Sequence, residues 1–334
     1  MKRIQVLWAL GVLGVISIIA VLLVPESKDF PAGHPGPTVE VVVSNGAGGL
    51  AIGAALQSAG VIKEKTKFFQ LAVKDSRAKS IAPGVHRVES HLPVSQALAE
   101  MIDPKRLIGI VEISEGSTFS DVQKSLRANS SIAASASSLL AKIAPAIANP
   151  TNSLEGQIYP ARYSFEPGTT EFAAIKSMVA KFKNSSTFLN LQRGYLTYTP
   201  YQVLVIASLA QIEGDPQDFA KVAQVIYNRL KIGMPLQLNS SVQFAAKLRG
   251  QISLSLSATK IDSPYNTYKN IGLPPTPISN PSDMAIMASL HPEPGSWLYF
   301  ITVAPGDTRF TARYSEFQQW NQLFQKNLAA GAFK

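Results

Sequence analysis

One carboxylic acid stands out for its setting. Glu213 ends a mostly apolar run that begins at Val203, and Gly214 follows it. At helical spacing it shares a face with Leu209 and Ile206, so its carboxyl projects along an apolar stripe. The last turn of a helix also disfavours negative charge. Desolvation and dipole both push a carboxyl pKa up. A Glu kept protonated near neutrality is what a general acid for glycoside cleavage needs. The alternative is a Glu whose head reaches solvent at a frayed helix end.

Other catalytic constellations are missing. His34, His86, His91 and His291 are scattered, with no HExxH and no close ligand pair, which argues against a zinc hydrolase. No GxSxG occurs. The chain has no cysteine, so disulfides and Cys-based zinc or redox sites are excluded. The GAGG at 46–49 lacks the remaining features of a phosphate loop and reads as a plain turn. A second catalytic carboxylate is not evident, since Asp215 and Asp218 suit helix N-cap and first-turn positions. Ordinary glycosidases use two carboxylates, so an enzyme with one must take its nucleophile from the substrate. Neutral amides, hydroxyls and aromatic faces follow in Leu236-Gln-Leu-Asn-Ser-Ser-Val and Ser263-Pro-Tyr-Asn-Thr-Tyr, then Gly272-Leu-Pro-Pro-Thr-Pro-Ile-Ser-Asn-Pro. They suit a sugar better than a phosphate; the alternative is a Pro-stiffened surface loop.

The elements that carry these groups are legible as punctuation. Thr199-Pro200-Tyr201-Gln202 is a capping box with Pro at the first helical position. Asp215-Pro216 starts a second helix with Phe219, Val222, Ala223 and Ile226 on one face and Gly233 beyond its end. Upstream, Val39–Val43 reads as a strand and Ala51–Ala59 as a short helix stopped at Gly60. Arg106–Glu115 reads as another strand, turning at Gly116 into a helix, so the strand–turn–helix unit recurs. The Ala/Ser-rich stretch Ala128–Ser153 suggests a helical excursion or connector. Trp297–Val303 reads as a buried strand, and Phe310–Trp320 opens a closing helix.

Composition sets the compartment. Of 334 residues, 46% are hydrophobic and only 16% charged, at a net +9, too apolar for a disordered chain. Ile4–Val24 is 21 residues without a charge, about 31 Å as a helix and close to the hydrocarbon thickness of a bilayer. It exceeds a signal-peptide core, and no small-x-small cleavage site follows. Lys2 and Arg3 favour a cytoplasmic N-terminus, which puts the rest outside and argues against nucleic acid as partner. Without cysteine a lipid tether is excluded, leaving this span as the visible anchor.

At these residues the sequence resembles the MltG/YceG-like family of endolytic murein transglycosylases. The agreeing pieces run in order: Val39–Gly60 with Gly60-Val61-Ile62, Val111-Glu-Ile-Ser-Glu-Gly, Leu154-Glu-Gly-Gln-Ile-Tyr-Pro and Ala207-Ser-Leu-Ala-Gln-Ile-Glu. Val225-Ile-Tyr-Asn-Arg-Leu, Leu236-Gln, Ser263-Pro-Tyr-Asn-Thr-Tyr, Gly272-Leu-Pro-Pro and Leu298-Tyr-Phe complete the set. The resemblance implies an α+β protein with an N-terminal transmembrane helix, a LysM-like αβ module and a mixed α/β catalytic domain with a helix-borne Glu. The corresponding divisions are a cytoplasmic tail at 1–3, an anchor at 4–24, a Pro/Gly linker at 25–38 and the LysM-like module at 39–105. A second αβ segment at 106–190 belongs to the catalytic region, and the catalytic domain spans 191–334.

The implied reaction cleaves the β-1,4 bond between N-acetylmuramic acid and N-acetylglucosamine and leaves a 1,6-anhydromuramyl end, terminating nascent strands. Glu213 takes the catalytic position; Gln237, Asn239, Ser241, Tyr265, Asn266, Thr267 and Tyr159 are the expected substrate contacts. No metal or cofactor is implied. Expected partners are peptidoglycan strands, the inner membrane and peptidoglycan synthases. The sequence departs from the family pattern at four positions. Gln211 replaces a second Glu, Asn239 and Ala161 replace Asp residues, and Phe317 replaces a late His. An attenuated enzyme, a non-catalytic peptidoglycan-binding scaffold and a hydrolytic muramidase are the rival expectations.

Overall fold

The computed structural model describes residues 29–44, 46–248 and 258–333, so the expected membrane span at 4–24 lies outside the described residues. Among the described residues no helix is long and apolar enough to cross a membrane. The chain divides into two units, one ending at Ile108 and the other starting at Gly109.

In the first unit, alternating valines make β1 (Thr38–Val43), whose Val41 and Val43 point into the core. Then come α1 (Gly49–Ser58), α2 (Lys65–Lys74), β2 (Gly84–Glu89), α3 (Val94–Ile102) and the short β3 (Leu107–Ile108). The three strands form one antiparallel sheet in the order β1-β2-β3, with Val41 opposite His86 and Val85 opposite Ile108. Leu56, Phe68, Val88, Leu98 and Met101 fill the space between sheet and helices.

The second unit opens with β4 (Ile110–Ile113) and α4 (Phe119–Ala128), whose Thr118–Asp121 capping box is complete. The sequence suggests one strand over Arg106–Glu115; the structure breaks it at Gly109. There φ is +67°, and an added Cβ would lie 2.4 Å from the Phe165 carbonyl oxygen, so the backbone bends where only glycine fits. Of the two expectations for the Ala/Ser-rich stretch after α4, a connector fits and a helical excursion does not. The stretch holds only β5 (Ile132–Ala133) and one turn, α5 (Ser137–Leu140). Asn129 breaks the helix by donating to the Ile110 carbonyl and accepting from Ser131 N, and prolines 145 and 150 prevent a restart.

Then follow β6 (Ala161–Ser164), antiparallel to β4, and β7 (Thr169–Thr170), parallel to β5. The helices α6 (Glu171–Lys183) and α7 (Ser186–Leu191) lead to α8 (Pro200–Glu213). The eight residues Val203–Ala210 are all buried, Ser208 the one polar residue among them, so α8 is central and covered on every side rather than striped. Each large apolar side chain there contributes about 1.5–3 kcal/mol by burial. Around it pack α9 (Phe219–Lys231), α10 (Asn239–Ala246) and α11 (Asp283–Leu290). The chain ends in the hairpin β8 (Tyr299–Ala304)–β9 (Asp307–Thr311) and α12 (Tyr314–Ala329). Only Val303 of β8 is buried, so the expected buried strand is half-covered, and Phe310 lies on β9, not on the closing helix.

Candidate functional site

Helix α8 delivers Glu213 as its last residue, because the extended Gly214 stops the helix there. Its carboxyl does not fray into solvent. Oε1 accepts the Ser240 N–H at 3.1 Å, at the N-terminus of α10. The dipole of α8 disfavours a carboxylate at this point, whereas the N-terminal end of α10 welcomes one. Burial is the larger influence and pushes the Glu213 carboxyl above its ordinary range; Ser240 and the Arg229 guanidinium oppose the rise. The result is an acid that binds its proton more tightly than a solvated Glu and still has donors ready for its anion.

The loop ahead of α10 is pinned from below. Gln237 N donates to the Thr267 carbonyl at 3.0 Å and Leu238 N to Thr267 Oγ1 at 2.9 Å. Ser241 Oγ reaches the Leu238 carbonyl at 2.8 Å and Thr267 Oγ1 at 2.9 Å. Asn266 spends its amide on the carbonyls of Thr259 and Ile261 and accepts from Tyr268 N. Ser241, Asn266 and Thr267 are therefore buried scaffolding, and their polar atoms hold the wall of the site. Tyr265 lies in the same loop, its hydroxyl 2.9 Å from Thr276 Oγ1 and its ring against Phe244.

Two expected contacts lie in the segment that leads into Ser240. Asn239, the first residue of α10, accepts the Tyr268 hydroxyl at 2.6 Å. Gln237 is exposed and held in the left-handed region at φ +49°, a conformation a non-glycine residue keeps only when its surroundings impose it. Tyr159 is tied elsewhere. Its hydroxyl donates to Asp283 at 2.6 Å, which raises its pKa to about 12, and Lys181 lies over its ring. Asp215 makes no side-chain cap, and Asp218 is buried in the turn at 216–218.

Arg229 and Tyr268 were not singled out by the sequence, yet both act electrostatically on Glu213 or feel its charge. Arg229 is buried, with Nε on the Leu298 carbonyl at 2.6 Å, Nη1 on the Leu236 carbonyl and its guanidinium over the Tyr299 ring. It stands at i+7 from Val222 and i+3 from Ile226, a cation on an apolar face, which was the signal for it. The four departures also have definite places. Gln211 Oε1 accepts Ser282 N at 2.8 Å, Asn239 accepts Tyr268, Ala161 pairs with Ile113, and Phe317 stacks on Tyr299.

Residues 41–322 match the YceG-like family. An endolytic murein transglycosylase of Bacillus subtilis (strain 168) is 35% identical over 176 residues, which are 51% of this chain and 48% of that protein. An endolytic murein transglycosylase of Streptococcus pneumoniae serotype 2 (strain D39) is 31% identical over 298 residues, 79% of this chain and 54% of that protein. The chain spans about half the length of the curated relatives it matches. A crystal structure described as yceG-like, from Listeria monocytogenes, shares the fold with a TM-score of 0.54 at 24% identity, over 84% of this chain and 98% of that one.

Proposed function

This chain belongs to the YceG-like family, and we propose that it is an endolytic lytic transglycosylase of peptidoglycan. Glu213 protonates the glycosidic oxygen between N-acetylmuramic acid and N-acetylglucosamine, and the leaving sugar departs with that proton. The C6 hydroxyl of the muramyl residue attacks its own C1, and the carboxylate formed at Glu213 takes the hydroxyl proton, closing the 1,6-anhydro ring. One carboxyl thus serves as acid and then as base, with an intramolecular nucleophile in place of water or an enzyme ester. The observation that carries the reading is a carboxyl whose pKa burial raises, met by a backbone donor of α10. In this reading Asn239, Gln237 and Tyr265 contact the glycan, while Ser241, Asn266 and Thr267 hold the wall.

The remaining assignments of this reading rest on sequence. Residues 4–24 anchor the chain in the inner membrane with its bulk outside. The β1-α1-α2-β2 arrangement is compatible with a LysM-like glycan-binding module. Nascent strands are the substrate, and strand synthases are the partners. The test is digestion of purified glycan strands followed by mass spectrometry. Anhydro-ended products lost in Glu213→Gln support the reading. Products one water heavier indicate a muramidase, and no products from the wild type leave a binding scaffold.

A further inference from the structure

Among the described residues two buried side-chain polar atoms have no hydrogen-bond partner, and one is the Ser240 hydroxyl. Ser240 is 5% exposed. Its N–H already donates to Glu213 Oε1, and its hydroxyl is near enough to oppose the rise that burial imposes on that carboxyl. An unpaired buried hydroxyl is a cost that native structures seldom carry without a compensating role. The groups whose charge is felt at Glu213 are bonded elsewhere: the Tyr268 hydroxyl donates to Asn239, and Arg229 Nε and Nη1 donate to the Leu298 and Leu236 carbonyls.

We propose that Ser240 is a positioning residue whose hydroxyl becomes the second donor to Glu213 when the carboxylate forms. The inference rests on the acid-then-base reading above. While Glu213 holds its proton, the Ser240 O–H gains little. Once that proton passes to the glycosidic oxygen, the O–H turns onto the anion beside the N–H of the same residue. When the C6 hydroxyl proton returns to Glu213, the contact relaxes. Ser240 keeps its own proton throughout, and no covalent bond to it forms or breaks. A bond gained only as charge develops lowers the barrier without tightening ground-state binding, so it acts on kcat and not on KM.

The test is Ser240→Ala in the full chain, with Glu213 titrated by carbon-13 NMR of its carboxyl beside the pH profile of strand cleavage. Losing a donor to the anion raises the Glu213 midpoint by about one pH unit, equivalent to roughly tenfold. Correspondingly, kcat falls roughly tenfold at unchanged KM, and its alkaline limb moves up with the midpoint. Thermal stability does not fall, since no native hydrogen bond of the hydroxyl is removed. Ser240→Thr keeps the O–H and restores both readouts, and Ser240→Gly serves if the alanine variant does not fold. An unmoved Glu213 midpoint overturns the inference, as does a moved midpoint with an unmoved kcat limb. A wild type that makes no anhydro ends overturns the reaction assignment instead, while the NMR titration still decides whether Ser240 is the donor.

Discussion

Each unit of this chain has an ionisable side chain that carries or adjoins an orphaned buried polar atom, and the two settings differ in what they can do. In the first unit it is His86, 1% exposed on β2. Its Nε2 lies 2.8 Å from the Ala82 carbonyl and its Nδ1 has no partner. A carbonyl only accepts, so Nε2 carries the hydrogen of a neutral ring. Burial pushes the imidazole pKa down, and the Ala82 carbonyl opposes that only in part. In the second unit it is Glu213, whose raised pKa coexists with donors and a guanidinium that meet its anion. Desolvation alone yields a pH-sensitive structure; desolvation with donors for the charged form yields a group that can cycle a proton.

The sharpest way to break this contrast is Glu213→Gln, which keeps shape and removes the titrating proton. It is expected to lower formation of anhydro ends by about 10²–10⁴-fold, read by mass spectrometry of digested strands. Retained cleavage would move the chemistry to another residue. Next is Arg229→Met, which strips the buried guanidinium from the Leu298 and Leu236 carbonyls. Leaving those acceptors unpaired costs about 2–4 kcal/mol, measured by urea unfolding. The loss of the cation also raises the alkaline limb of cleavage, because Arg229 lowers the Glu213 pKa.

The two units then respond to pH with opposite signs. Glu213 is raised above 4.5, so as pH climbs through that value the unfolded chain loses a proton the native state keeps, and stability falls until the folded pKa is passed. Glu213→Gln removes this fall. His86 is lowered below 6.5, so as pH drops through 6.5 the unfolded chain gains a proton the native state refuses, and stability falls again. His86→Phe removes that second loss. Hydrogen exchange separates the signals: protection of α8 reports the second unit and protection of β2 the first. Equal signs in both units would sink the comparison.

What the sequence revealed follows the same division. Local punctuation was readable: the Thr199–Gln202 capping box, the helix stop at Gly214 and the position of Glu213 on α8. Non-local chemistry was not. The donor to Glu213 comes from residue 240, and the pinning of the 236–238 loop comes from residue 267. Buried Ser241, Asn266 and Thr267 looked like sugar contacts because a polar residue in a loop reads alike whether it faces a ligand or a neighbouring carbonyl. The strand over 106–115 looked continuous because the conflict of Gly109 with Phe165 involves a residue far along the chain. Gly156 hides a similar contact: at φ +76°, its added Cβ would lie 2.5 Å from Pro277.

The helix ends offer the finest test of the contrast. In the second unit α4, α6, α7, α8 and α11 each start from a Thr or Ser whose hydroxyl accepts a first-turn N–H. In the first unit α1, α2 and α3 start at Gly48, Glu64 and Pro93, none of which caps its own helix; the first N–H of α2 and of α3 is accepted instead by the distant side chains of Gln57 and Asp29. Thr199→Ala is therefore expected to cost about 1 kcal/mol. Gly48→Ser should act the other way. Gly48 sits at φ −78° and ψ 165°, an ordinary N-cap conformation, and an added Cβ there meets nothing within 4 Å. A serine hydroxyl can pair an unsatisfied first-turn N–H, and the unfolded chain loses glycine's extra freedom. The expected gain is about 0.5–1 kcal/mol, confined to slower hydrogen exchange across α1. A gain spread equally into the second unit would mean that the two units do not unfold independently.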